Sequence, residues 1–202
     1  HIFARQQVDV ARSTMCAWLQ AAAELLRPLV DLMTAWVRAS RVIHTDETRV
    51  PVQDPGTGKC RSGRLWAYIG DAANPYIVYD YTPDRTRAGP TQWLRGYKGY
   101  LQAVAYGSYD GIYAPGEVIE VACWAHARRH FFDARETDQR RAREMLELVH
   151  ELYAVEDHAK GFSDDAHLLL RLERSVPQLS KIKAWLDQEQ RLVLPRSPMA
   201  AA

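Results

Sequence analysis

Apolar residues recur along the chain at two different periods, and the change of period divides it. Over residues 13–37 they fall at Met15, Trp18, Leu19, Ala22, Leu25, Leu26, Leu29, Leu32, Met33 and Trp36, the spacing of one helical face. Ser13 or Thr14 offers an N-cap oxygen. Pro28 lacks an N–H and crowds the preceding turn, so the run is expected to break or bend near Arg27. The stretch 8–14 has two readings. It is the turn and start of a recognition helix, as in helix-turn-helix DNA readers, or it leads into a packing helix that joins a preceding module to the core.

From Arg41 the pattern shortens to strands, at 41–45, 49–53, 65–69 and 76–81, with the second continuing the first or opening a hairpin. Turns rich in Pro, Gly and Asp separate them at 54–59 and 71–75. Consecutive strands with short connections predict an antiparallel meander. Pro51 has no donor for a ladder and fits an edge or bulge. A short helix over 89–97, capped by Thr91, precedes strands at 100–105 and 117–123, and a helix begins at Trp124. Its large aromatics, Trp124, Phe131 and Phe132, are expected in the core. Beyond it the helical period returns three times: Met145, Leu148, Val149, Leu152 and Val155; then Leu168, Leu169 and Leu172, ended by Pro177; then Leu179, Ile182, Trp185 and Leu186.

Composition adds limits. At 202 residues, 47% hydrophobic and 25% charged, the chain is an ordinary globular one, not a disordered or fibrous one. A net charge of +1 requires any nucleic-acid partner to be met by local basic clusters. Cys16, Cys60 and Cys123 are scattered, which gives neither a zinc knuckle nor a disulfide framework and points to a reducing, cytoplasmic setting. No apolar run reaches the roughly 20 residues of a membrane span. The sequence starts without Met and closes in alanines, as expected of part of a longer protein.

Candidate chemistry starts at Asp46 and Glu47, adjacent carboxylates following the apolar Val42 and Ile43. A carboxylate at a strand end is able to hold a metal ion near solvent without burying an unpaired charge. Strand alternation turns the two carboxylates to opposite faces of the sheet. Gly56-Thr57-Gly58-Lys59-Cys60 is not a phosphate loop: the first glycine is missing and Cys stands where the hydroxyl belongs. Lys59, Arg61 and Arg64 make that hairpin tip basic, for a phosphate backbone or for solvent. His126 and Arg129, one helical turn apart, are spaced to orient a phosphate or a carboxylate; in the alternative reading His126 caps or packs at the strand–helix junction beside Trp124.

Several motifs occur together in order: His44-Thr45-Asp46-Glu47-Thr48, Gly63-Arg64-Leu65-Trp66, Tyr79-Asp80-Tyr81-Thr82-Pro83-Asp84-Arg85, Tyr100-Leu101-Gln102-Ala103, and Cys123-Trp124-Ala125-His126-Ala127-Arg128-Arg129. In this combination, over nearly the whole chain, the sequence resembles the transposases of the insertion-sequence 66 family. The resemblance implies an α/β ribonuclease-H-like mixed sheet of about five strands flanked by helices. It implies a helical N-terminal segment at 1–39, a partial catalytic core at 40–136 and a helical region at 137–202. It also implies DNA strand cleavage and transfer by three acids with Mg²⁺ or Mn²⁺, in the bacterial cytoplasm. Expected partners are element-end DNA and a further copy or an intact transposase. Asp46 matches the first acid. Where the family has its second acid this chain has Val104, and Asp110 falls in the following loop. The Asn-Asn-x-x-Glu-Arg context of the third acid is absent, and Glu173 and Glu189 lack its surroundings. Arg61, Arg64, His126 and Arg129 are the expected DNA contacts. The resemblance therefore implies a truncated, degenerate copy with a poorly bound metal.

Overall fold

The computed structural model describes residues 10–54, 56–103, 109–113 and 116–202, which fall in two compact units, His1–Ala122 and Cys123–Ala202. The first unit runs α1 (Arg12–Arg38), β1 (Val42–Gln53), β2 (Cys60–Ile69), β3 (Ile77–Thr82), α2 (Ala88–Trp93), β4 (Gly99–Ala103), α3 (Asp110–Tyr113) and β5 (Val118–Ala122). Its strands form one sheet in the order β3-β2-β1-β4-β5. The meander β1–β2–β3 is antiparallel, and β4 and β5 are added parallel beside β1.

The two expected pieces at 41–45 and 49–53 are a single strand. The unbroken ladder from His44↔Ile69 to Gln53↔Cys60 holds β1 straight through Pro51, which pairs with Ser62. Among the described residues β4 reaches β1 only from Val42 to His44, so Pro51 lies on an edge stretch where its missing donor is tolerated. One face of the sheet carries the core: Ile43, Trp66, Tyr68 and Leu101 are fully buried. Tyr68 stacks on Trp93 of α2, and the Trp66 indole donates to Thr82 Oγ1 at 2.8 Å. Gly99 opens β4 at φ 150°, where a Cβ would meet the Arg41 carbonyl at 2.6 Å; only glycine lets the two strands close there.

Helix α1 is continuous through Pro28, and its N-cap is Ala11, not Ser13 or Thr14. Its C-terminal end is anchored: Met33 packs against the core, Val37 is buried, Trp36 stacks on Tyr76, and the Arg38 guanidinium donates to the Arg95 carbonyl. Thr91 is inside α2, whose N-cap is Arg87.

The second unit is helical: α4 (Trp124–Ala134), α5 (Gln139–His158), α6 (Asp164–Leu170), a π-helical turn (Arg171–Ser175), α7 (Val176–Glu189) and α8 (Pro198–Ala201). Phe131, Met145, Val149, Leu152, Ile182 and Met199 share its core. Trp124 and Phe132, expected with Phe131, are exposed instead, and Phe132 carries the Arg135 guanidinium over its ring at 3.5 Å. Pro177 does not end a helix. It sits in the first turn of α7, directly after the π turn, where a missing N–H is least costly. Leu170 is the buried leucine of α6; Leu168, Leu169 and Leu172 face solvent. The start of α5 is tied to the end of α7 by buried Glu189, which pairs with Arg141 Nε at 2.5 Å and Arg140 at 3.1 Å. Among the described residues no helix is long and apolar enough to cross a membrane.

Candidate active site

Asp46 lies in β1 opposite Ala67 of β2, which in turn faces Tyr79 of β3. Its side chain is exposed, and Oδ1 accepts the Glu47 backbone N–H at 2.8 Å. The carboxylate is thus oriented by its own strand. Alternation sends Glu47 to the core face with Ile43 and Thr45. There its side chain is 11% exposed, ion-paired with Arg85 and with Arg64 Nε at 3.9 Å. Two neighbouring acids therefore have different environments. Tyr109 is packed in the same core, and its phenol is pushed up to about 12 by burial, with the charges of Glu47 and Asp46 adding to the effect.

The described β1–β4 ladder ends at His44↔Gln102, and Val104, at the second-acid position, lies outside the described residues, as do Val8 and Asp9. Asp110 falls in α3. Glu173 is on the π turn, and Glu189 is engaged by two arginines. Among the described residues no three His, Cys, Asp or Glu side chains come together. Mg²⁺ keeps several waters and asks for converging oxygens. One exposed carboxylate, with its neighbour turned away into an ion pair, does not fit a two-ion centre.

The expected DNA contacts divide between the units. Arg61, opposite Val52 on β2, is exposed, whereas Arg64 is 11% exposed against Glu47. His126 and Arg129 lie on α4. The His126 N–H bonds the Cys123 carbonyl at 3.1 Å in the first turn, and Nδ1 is buried without a partner among the described residues. Arg129 lines a groove of about 670 Å³ with Arg128, Phe132 and Asp133 of α4 and His150 and Tyr153 of α5. Sequence reasoning missed His150 as a neighbour of Arg129. It stands on the outer face of an amphipathic helix, and only the packing of α4 against α5 brings it there.

A mixed sheet of order 3-2-1-4-5 with an antiparallel meander, parallel additions and flanking helices is that of the ribonuclease-H-like α/β class. The sequence profile of the Transposase IS66 family matches residues 1–202, and the chain belongs to that family. Similar curated proteins come from Sinorhizobium fredii. The uncharacterized protein y4hP is 32% identical over 96% of this chain and 39% of its own length. The uncharacterized protein y4qI is 28% identical over 100% of this chain and 40% of its own. The uncharacterized protein y4jD is 29% identical over 100% and 42%. The chain thus spans about two-fifths of the length of the curated relatives it matches.

Proposed function

We propose that this chain belongs to the DNA-transposing machinery of an IS66-type element. In this reading Asp46 is the first acid of the strand-transfer site, and the copy is catalytically incomplete. The carrying observation is the contrast within one strand: Asp46 is exposed and held by its backbone, while Glu47 is committed to Arg64 and Arg85. The divalent ion implied by the family would activate an attacking oxygen and stabilise a leaving one. A lone carboxylate holds Mg²⁺ poorly against its own hydration. Valine at position 104 supplies no ligand atom. Three unpaired cysteines accord with work in the bacterial cytoplasm.

Nicking of matching element-end DNA in Mg²⁺ or Mn²⁺ tests this reading. Background-level cleavage is expected, and Val104→Asp alone is expected not to restore it. Robust nicking by the wild type that Asp46→Ala abolishes would overturn the incompleteness. A second reading, a non-catalytic DNA-binding or assembly component, is favoured by exposed Arg61 and by the Arg128–Arg129–His150 groove. Salt-sensitive retention of element-end DNA without cleavage is its expected signature.

A further inference from the structure

The apolar stripe of α1 follows a stricter rule than a core-facing helix needs. Met15, Trp18, Ala22, Leu25, Leu29, Leu32 and Trp36 alternate steps of three and four residues, the a and d positions of successive heptads. Leu19, Leu26 and Met33 repeat every seventh residue along one flank, while Glu24, Arg27, Asp31 and Arg38 lie off the stripe. A period of 3.5 rather than 3.6 keeps a seam facing another helix along its whole length. Yet only the C-terminal end of α1, from Met33 onward, is anchored on its own core. Leu25 is 82% exposed, Leu19 72%, Trp18 55% and Leu29 53%.

The seam also complements itself. On the flank opposite Leu19 and Leu26, the corresponding positions are Thr14 and Ala21, while Met33 is taken up by the core of its own unit. In a parallel pair each large residue of one helix lies against a smaller, uncharged one of the other. Ahead of the anchored end, the exposed side chains of the stripe together with Leu19 and Leu26 carry on the order of 800 Å² of surface, about what each partner gives to a standard interface. We propose that α1 is a dimerisation helix, pairing in parallel with α1 of a second copy through the Met15–Leu32 seam. The contact is isologous, so it closes at two copies. It requires neither DNA nor metal and stands independently of the catalytic reading.

Sedimentation equilibrium of the full chain between about 1 and about 100 μM, a range in which standard-size interfaces associate, tests it. The expected mass is twice 23.1 kDa. Leu25→Glu and Leu29→Glu place a carboxylate in the seam and are expected to weaken association at least about 100-fold with unchanged circular dichroism. Gln20→Glu, on the outer face, is expected to leave the dimer intact. Ala22→Cys is expected to give a disulfide-linked dimer under oxidation, because identical a positions face each other only in the parallel arrangement. A wild-type monomer throughout the range, a higher assembly, or a dimer indifferent to Leu25→Glu overturns the proposal. A dimer that Ala22→Cys does not cross-link overturns the parallel pairing.

Discussion

Asp46 and Glu47 show how one strand step decides the fate of a carboxylate. Removing the charge of Glu47 leaves Arg64 and Arg85 facing a nearly covered site without their counter-ion, the situation in which breaking a buried pair is costly. Glu47→Gln is therefore expected to lower the unfolding free energy by about 3 kcal/mol. Asp46→Asn keeps an acceptor for the Glu47 N–H on an exposed face and is expected to change it by less than about 0.5 kcal/mol. Urea unfolding of both variants checks this contrast, and equal losses would contradict it. The motif singled out Asp46 as a candidate, and its exposed face follows from strand alternation. The partners of Glu47 were not: Arg85 comes from the loop after β3, and only the meander brings it over β1.

Among the elements, strand identity was more legible than strand extent, because alternation marks where a strand is and pairing decides how far it runs. The length of β1 is set by the ten-residue ladder with β2, which carries it past a proline. Pro177 misled for a related reason. A helix that widens to a π turn just before a proline loses less than a regular one, and no apolar period announces that widening. The junction of α5 and α7 was equally hidden in the sequence. Hydrogen bonds from Arg141 and Arg140 hold Glu189 below the usual carboxylate range, and those from Trp185 and Arg140 do the same for Glu144. A depressed folded-state pKa gives stability that is present above the unfolded value, near 4.5, and is lost as pH falls through the lower folded value. Thermal melting between pH 7 and pH 3, values bracketing the carboxylate range, is expected to show a drop in Tm on the acid side. Glu189→Gln is expected to flatten that drop as it lowers the neutral-pH Tm, and an unchanged acid slope would contradict the assignment.

Across the molecule, the net charge of +1 leaves little long-range attraction to DNA, so any duplex binding would rest on exposed cations without an acidic partner among the described residues. Arg61 meets that description on the sheet better than Arg64, which the sequence ranked equally. Arg61→Ala is expected to weaken binding of any duplex about uniformly and to reduce the slope of log K against log salt by about 1. An Arg64→Ala effect on binding is expected only together with a loss of stability. Fluorescence anisotropy over a salt series separates the two. The class of fold was legible because the motifs came in order along a chain of alternating and helical periods. The basic groove of the second unit was not, since it belongs to no single segment.

The placement of Asp46 has a consequence for how such a copy changes over generations. Its carboxylate is steadied by the next peptide N–H, and among the described residues no side chain on its face of β1 belongs to the buried core. Substitutions of Asp46 on that face are expected to leave the foldedness of the product unaltered. A chain that loses this carboxylate is therefore expected to remain well folded. Glu47, one residue away, has no such freedom, and in descendants of this copy it is the acid expected to outlast its neighbour.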